Sequence, residues 1–169
     1  EIYPGDWSSD VCSSDLGLFL SSGIFKNADY TMERLVRIAK KLREEHGFHG
    51  YIHLKTIPKA SAEILHEAGL YADRLSVNME IPTVSGLKLL APEKNHSDMT
   101  QPMAFVRNEI TAFADSRKTI KSTPKFAPAG QSTQFIIGAA GETDRQIIRA
   151  AGGFYRHYGL KRVYYSGYV

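Results

Sequence analysis

The chain has 169 residues, of which 43% are hydrophobic and 23% are charged, and its formal net charge is +3. This composition is typical of one globular domain, and no apolar stretch approaches the ~20 residues that a membrane span needs. A single Cys excludes an internal disulfide, and no basic segment followed by an apolar one marks a signal peptide, so we expect a cytoplasmic protein without a membrane partner.

The first 16 residues differ in composition from the rest of the chain. They contain four acidic and no basic side chains, so residues 17–169 carry a formal charge of +7, which suits a nucleic-acid or phosphate partner. The only Cys and the only Trp lie in residues 5–16, GDWSSDVCSSDL, a string that resembles the translation of a short-read sequencing adapter. We therefore expect residues 1–16 to be a non-native, disordered segment and residues 17–169 to form the folded core.

After residue 16, predicted strands and helices alternate along the chain. Tyr30-Thr31 is the expected cap of the first helix. The expected buried stripe of that helix comprises Met32, Leu35, Ile38, Ala39 and Leu42. The predicted elements are a strand at 17–22, a helix at 29–47, a strand at 50–58, a helix at 60–69, a strand at 72–82, a helical turn or loop at 83–94, a helix at 99–117, an extended segment at 125–140, a helix at 142–159 and a strand at 160–169.

This alternation predicts the α/β class. Strands that alternate with helices form parallel sheets through right-handed crossovers. Both a doubly wound sheet and a (βα)n barrel satisfy the pattern. No internal repeat and no linker divides residues 17–169, so we expect one domain there.

Three of the predicted strands alternate apolar and polar side chains. Parallel strands beneath helices turn their apolar positions towards those helices, so their polar positions face the opposite side of the sheet. These polar positions are His53, Lys55, Ser76, Asn78, Glu80, Tyr164 and Ser166. A buried polar group without a partner costs about 1–3 kcal/mol, so this convergence predicts a polar cavity that binds a ligand. The alternative is a set of interior side chains that satisfy one another.

Candidate catalytic residues lie at the ends of these strands. Lys55 is placed as the Schiff-base lysine of a barrel aldolase would be, and Glu80 could serve as a general base or a ligand anchor. The six His residues do not have metal-ligand spacing, so no metal site is predicted. No G-x-S-x-G pattern marks a nucleophilic Ser.

Long stretches of residues 17–169 resemble one known family. The most specific are YIHLKTIP, LAPEK and FAPAGQSTQ, and the similarity extends from LFLSSGI to RVYYSGYV. On these strings the chain is similar to the DNA modification/repair radical S-adenosylmethionine (radical SAM) proteins.

The resemblance implies a fold, two cofactors and a substrate class. The implied fold is an incomplete radical SAM-type partial TIM barrel of the (βα)6 kind, in which this chain supplies strands 2–6. The implied cofactors are S-adenosylmethionine (SAM) and a [4Fe–4S] cluster held by three Cys of a C-x-x-x-C-x-x-C loop. Reductive cleavage of SAM then generates a 5′-deoxyadenosyl radical. The implied substrate is a nucleic acid, with DNA favoured over RNA.

The resemblance also implies cofactor-binding residues at the ends of three strands. Carried over position by position, these are Ser21, Ser22 and Gly23 for the amino group of SAM, Asn78 and Glu80 for its ribose or carboxylate, and Gln131, Ser132 and Gly138 for its adenine. The family commonly has an acidic residue beside the first of these segments, and this chain has none there.

The sequence departs from the family in its cysteines. Only Cys12 is present and it matches no cluster motif, so the cluster ligands are absent from this sequence. We therefore expect an internal fragment of the barrel core, truncated at both ends and inactive by itself. Two alternatives stay open: a Schiff-base lyase or aldolase that uses Lys55, and a non-catalytic domain that binds nucleic acid through its basic helices.

Overall fold

A computed structural model describes residues 17–92 and 94–168. The interpretation of residues 1–16 as a disordered, adapter-like segment lies outside the described residues. The elements in chain order are β1 (Gly17–Leu20), α1 (Ala28–Glu44), β2 (Tyr51–Lys55), α2 (Ala62–Tyr71), β3 (Arg74–Ser76), α3 (Val84–Leu90), α4 (His96–Thr119), β4 (Gln131–Ile137), α5 (Asp144–Tyr158) and β5 (Arg162–Gly167). The predicted alternation of strands and helices is confirmed. None of the helices in the described ranges is long and apolar enough to cross a membrane.

The five described strands form one parallel sheet in the order β1-β2-β3-β4-β5. A doubly wound sheet reverses its strand order near the middle, whereas each strand here lies beside its neighbour in sequence. With crossovers of one hand, this order places the connecting helices on one face, and the sheet curls into a half-barrel. The structure therefore favours a partial barrel over a doubly wound sheet.

The convex face of the sheet packs against the helices and forms the hydrophobic core. Ile52, Leu54 and Leu75 are completely buried there, as the alternation in the second and third strands predicts. Met32 and Leu35 of α1 belong to the same core. Burial of one such side chain stabilises the fold by about 1.5–3 kcal/mol, so this face specifies which way each strand turns.

Strand β1 and helix α1 differ from the prediction in three places. β1 covers only Gly17–Leu20 of the predicted 17–22 and lies at the edge of the described sheet, with Phe19 58% exposed. Asn27 caps α1 by accepting a hydrogen bond from the Tyr30 N–H at 2.8 Å, so the cap precedes the predicted pair Tyr30-Thr31. Ile38 is 46% exposed and Val36 is buried in its place, because the buried stripe follows the spacing i, i+3, i+4, i+7 from Met32.

A charged cluster ties α1 to the starts of β2 and β3. Arg43 donates hydrogen bonds to the carbonyl oxygens of Phe48 at 2.7 Å and Gly50 at 2.8 Å, and to the carboxylate of Asp73 at 2.6 Å. The same carboxylate accepts a hydrogen bond from the Ile52 N–H at 2.8 Å. These contacts fix the positions at which β2 and β3 begin. They therefore also fix the positions of the residues at the carboxyl ends of both strands.

Helix α2 and strand β3 have different bounds from those predicted. Gly69 was expected to end its helix, but it lies inside α2, where a Cβ would come within 2.1 Å of the Phe126 ring. The regular ladder of β3 covers only Arg74–Ser76, although a strand was expected over 72–82. Pairing resumes further along as a single bridge between Glu80 and Phe135.

Candidate functional site

A cleft opens on the concave face of the sheet, opposite the helices. It has a volume of about 430 Å³ and is lined by Phe19, Ser21, His53, Lys55, Ser76, Asn78, Gln134 and Tyr164. All five described strands, or the segments directly after them, contribute to this concave cleft. The predicted convergence of polar strand positions on one side of the sheet is therefore confirmed for His53, Lys55, Ser76, Asn78 and Tyr164.

The strand register explains why these side chains meet. Lys55 lies opposite Ser76, and Ser76 lies opposite Ser132 on the next strand. On the other side of the sheet's centre, Gln134 lies opposite Tyr164. Residues opposite each other in parallel strands turn their side chains to the same face, so the polar positions form rows across the sheet.

A polar belt crosses the carboxyl ends of the strands. It consists of Lys55, Glu80, Asn78, Gln134 and Ser166. The Asn78 side-chain amide donates to Glu80 Oε1 at 3.2 Å and to Gln134 Oε1 at 3.5 Å. Gln134 Nε2 in turn donates to Ser166 Oγ at 2.9 Å, and Lys55 Nζ lies 3.9 Å from Glu80 Oε1. The belt thus presents an ammonium, a carboxylate, two amides and a hydroxyl in one row.

The backbone of Glu80 has a left-handed conformation, with φ at 62°. Such a conformation in a residue other than Gly costs of the order of 1–3 kcal/mol and persists only when its surroundings hold it. Here the Glu80 N–H donates to the Gln134 carbonyl at 2.9 Å, and the Glu80 carbonyl accepts from the Ile136 N–H at 2.7 Å. Strand β4 therefore holds the turn that brings the Glu80 carboxylate into the belt.

His53 lies in the concave cleft as a neutral ring with unused hydrogen-bonding capacity. Its Nε2 atom is buried and has no hydrogen-bond partner among the described residues. Burial lowers the pKa of His53 to about 4, and the nearby positive charge of Arg74 acts in the same direction. The Phe19 ring packs edge-on against it, with the centroids 4.8 Å apart. A buried polar atom of this kind favours a hydrogen bond from a bound ligand.

Not all of the residues that the family resemblance assigns to cofactor binding lie in the concave cleft. Ser21 lines the concave cleft. Ser22 and Gly23 are exposed after β1, where the Ser22 hydroxyl donates to the Gly23 carbonyl at 2.7 Å. Gly138 follows β4 with φ at 87° and has open space where a Cβ would be.

The adjacent residues Gln131 and Ser132 face opposite sides of the sheet. Ser132 is completely buried in the row of Ser76, and its hydroxyl has no hydrogen-bond partner among the described residues. The side chain of Gln131 points to the helices, where its Nε2 donates to the carbonyls of Met103 at 2.9 Å and Tyr158 at 2.6 Å. Gln131 therefore links α4 and α5 and does not face the cleft, which corrects its expected contact with an adenine.

Sequence reasoning left some cleft residues out of its cofactor-binding set. The missing positions are Phe19, His53, Lys55, Ser76, Gln134 and Tyr164, of which Lys55 was a catalytic candidate. For His53, Lys55, Ser76 and Tyr164 the signal was present, because each is a polar position of an alternating strand. For Gln134, the alternation with buried Phe135 carries the same signal.

The residues that the structure describes contain no group of three or more His, Cys, Asp or Glu side chains that could hold a metal ion. The described ranges also contain no Cys, since Cys12 lies before them. The ionisable side chains at the cleft and its rim are His53, Tyr164 and the Lys55–Glu80 pair.

Together, the fold and the cleft define an α/β protein with a parallel half-barrel that carries a polar cleft at the carboxyl ends of its strands. Barrels of this kind hold their sites at that end. The chain matches no known family of proteins and no curated protein.

Proposed function

We propose that this chain is the SAM-binding part of a radical SAM enzyme, in which its strands correspond to strands 2–6 of a (βα)6 partial barrel. The observation that carries the proposal is the concave cleft, to which consecutive parallel strands bring polar side chains at their carboxyl ends. The sequence strings YIHLKTIP and FAPAGQSTQ, which resemble the family, supply part of the same face.

The chemistry of the cleft suits an adenosyl ligand. Its volume of about 430 Å³ lies in the range of small-molecule sites, which is about 300–1,000 Å³. The Phe19 and Tyr164 rings offer aromatic surface for a base, while the amides of Asn78 and Gln134 offer both donors and acceptors. The buried Nε2 of His53 supplies one further hydrogen-bonding position. In this proposal these residues orient the nucleoside part of SAM and exclude water from it.

The described residues do not fit a [4Fe–4S] cluster. Such a cluster needs Cys thiolates, and the described ranges contain none. When bound, a cluster supplies the electron that cleaves SAM, so this reaction belongs to the parent enzyme in our proposal. For the chain itself we expect SAM binding without cleavage.

Two experiments test the proposal. Isothermal titration of the full chain with SAM should give saturable, equimolar binding, and absence of binding at millimolar SAM would contradict the proposed site. Sequencing the source locus upstream of the codon for Gly17 should reveal a C-x-x-x-C-x-x-C pattern in frame, and an intact frame without it would refute the radical SAM assignment. The same sequencing decides whether residues 5–16 are native.

A Schiff-base lyase that uses Lys55 is a second candidate function. Its support is the position of Lys55 at the end of β2, inside the concave cleft. Against it stands the contact with Glu80 at 3.9 Å, because an amine held beside a carboxylate must leave that contact to attack a carbonyl carbon. Borohydride trapping with carbonyl substrates would label Lys55 if this function were correct, and we expect no adduct.

We propose a nucleic acid as the substrate of the parent enzyme, and one surface of the chain supports contact with phosphates. Arg145, Arg149 and Arg156 lie along one exposed side of α5, beside Ile148, which is 69% exposed. Arg is well suited to phosphate groups because its planar guanidinium donates two parallel hydrogen bonds. Since this ridge lies on the helix side of the sheet, it would position nucleic acid without delivering it directly to the cleft. The same ridge carries the non-catalytic alternative, in which nucleic-acid binding is the whole function.

A further inference from the structure

Arg74 is a buried cation near the amino-terminal end of the concave face of the sheet. It begins β3, lies opposite His53 of β2 and is only 8% exposed. Its Nε atom donates a hydrogen bond to the Tyr51 hydroxyl at 2.6 Å, which places both side chains on this face. Its Nη1 atom is buried and has no hydrogen-bond partner among the described residues. The guanidinium therefore keeps donors for a further acceptor.

Arg74 also lacks a counter-charge in the described part of the chain. The carboxylate of the adjacent Asp73 is paired with Arg43 on the helix side of the sheet. The other ion pairs within the described ranges do not include Arg74 either. A buried charge is costly unless it is paired and hydrogen-bonded, and a guanidinium does not lose its proton to escape that cost. The position of Arg74 therefore calls for a negative charge beside it.

The remaining charges of the concave face do not supply that negative charge. Arg162 of β5 lies opposite Ser132 and two positions before the cleft residue Tyr164, so it occupies the same face as Arg74. The carboxylate of the polar belt, that of Glu80, lies towards the carboxyl ends of the strands, beside Lys55. The amino-terminal half of this face thus carries two guanidinium groups, and its positive potential favours an anion.

We propose that Arg74 and Tyr51 bind a small oxyanion, such as phosphate or a carboxylate, at the amino-terminal end of the concave face. The planar guanidinium suits an oxyanion better than a spherical halide, because it donates to two oxygen atoms in parallel. The Tyr51 hydroxyl accepts from Arg74 Nε, which leaves its own O–H to donate to the same anion. Tyr51 is 39% exposed, so the anion reaches this oxyanion site from solvent.

The oxyanion site is separate from the proposed SAM site. The concave cleft lies at the carboxyl ends of the strands, and neither Arg74 nor Tyr51 is among the residues that line it. His53 is adjacent to both, because it lines the cleft and lies opposite Arg74 in the neighbouring strand. The His53 ring therefore reports on occupation of the oxyanion site in the absence of SAM.

Thermal melting of the full chain measures anion binding directly. Sodium phosphate, sodium acetate and sodium chloride are compared at constant ionic strength in a buffer without other oxyanions. We expect phosphate or acetate, whichever class the site prefers, to raise the melting temperature in a saturable manner, and chloride to have a smaller effect. Phosphate also stabilises folded proteins by exclusion from their surface, so the comparison with variants decides the origin of the rise.

Variants of the two side chains assign the effect to the oxyanion site. Arg74→Met should abolish the saturable rise, and in chloride it should be at least as stable as the unsubstituted chain because it removes an uncompensated buried charge. Tyr51→Phe should weaken binding of the preferred anion by about tenfold. Arg37→Met, at an exposed position of α1, is the matched control and should keep the full response. Nuclear magnetic resonance should show that the anion shifts the His53 ring signals in the unsubstituted chain and not in Arg74→Met.

Two results would overturn the inference. If no anion alters the melting temperature and Arg74→Met is markedly less stable than the unsubstituted chain, a carboxylate of the chain itself already neutralises the guanidinium. If the melting temperature rises equally in Arg74→Met, the anion acts by exclusion and not at this site. Neither measurement uses SAM, so each result leaves the proposed function to its own test.

Discussion

The side-chain amide of Asn78 donates a hydrogen bond to the carboxylate of Glu80 at 3.2 Å, although only one residue separates them in the chain. Side chains two apart in an extended strand stand parallel on one face and do not normally meet in this way. The left-handed backbone of Glu80 folds the chain back at this point, and its two hydrogen bonds to β4 hold the turn. The geometry of the candidate site therefore depends on the contact between the end of β3 and the neighbouring strand.

Asn78 connects both halves of the polar belt, so its loss should impair ligand binding. Asn78→Leu conserves volume but leaves the side-chain oxygens of Glu80 and Gln134 without this donor. We expect the affinity for SAM to fall by about tenfold, measured by isothermal titration. Gln101→Leu, at an exposed amide on α4, is the control and should leave the affinity unchanged. An unaltered affinity in Asn78→Leu would place the ligand elsewhere.

His53 should make stability depend on pH in the acidic range. Its pKa is lowered from 6.5 to about 4 in the folded state, so only the unfolded chain takes up this proton between these values. The contribution of the neutral His53 ring to the free energy of unfolding is fully present above pH 6.5 and is lost as the pH falls towards 4. Urea unfolding of the unsubstituted chain should show that the free energy of unfolding declines as the pH is lowered across this range.

Replacement of His53 isolates this effect. His53→Gln should flatten the decline, while His46→Gln, at an exposed position after α1, should preserve it. Nuclear magnetic resonance of the His53 ring offers a direct measurement, since its proton shifts should remain constant until the pH approaches 4. Titration of that ring near pH 6.5 would show that burial does not hold it neutral.

Two Gly→Ala changes should alter stability in opposite directions. At Gly69 a Cβ would lie 2.1 Å from the Phe126 ring, so Gly69→Ala should destabilise the fold by about 1–3 kcal/mol through overpacking. At Gly153, inside α5, a Cβ meets no atom within 4 Å. Gly153→Ala should therefore stabilise by about 0.5–1 kcal/mol through helix propensity. Chemical unfolding compares both variants, and effects of the same sign would contradict the packing of α2 against Phe126.

Arg43 should be the most sensitive charged residue of α1. Arg43→Met leaves the Asp73 carboxylate and the three carbonyl oxygens of Phe48, Gly50 and Tyr71 without this donor in a largely buried cluster. We expect a loss of about 2–4 kcal/mol in the free energy of unfolding. Arg37→Met, at an exposed position of the same helix, should cost less than about 0.5 kcal/mol. Equal effects of the two changes would mean that the cluster does not hold the strand entries.

The arginine ridge of α5 should make nucleic-acid binding depend on salt. If Arg145 and Arg149 contact phosphates, each change to Gln should reduce the slope of log affinity against log salt by about 1. Fluorescence anisotropy with single-stranded and duplex DNA, and with RNA, measures these slopes. Arg37→Gln on α1 is the control and should leave the slope unaltered. Identical slopes in all variants would remove this surface from the proposal.

Much of the candidate site could be predicted because alternation along a strand is a local property. Buried Ile52 and Leu54 require that His53 and Lys55 turn to the other face, whatever the rest of the fold. The same reasoning assigns Ser76 and Asn78 to the face of the sheet opposite the helices. Alternation gives no guidance at Gln131, which resembles its neighbour Ser132 in polarity. Its Nε2 donates to the backbone carbonyls of two helices, while its Oε1 has no hydrogen-bond partner among the described residues.

The sequence by itself determined the α/β class, the alternation of elements and the polar face of the strands, because these follow from the periodicity of apolar residues along the chain. Only the tertiary structure decided the consecutive strand order, the side on which Gln131 lies and the left-handed turn at Glu80. These features depend on which strands lie next to each other. The hydrogen bonds that define them join residues far apart in sequence, such as Glu80 and Gln134, and local propensity carries no information about such pairs.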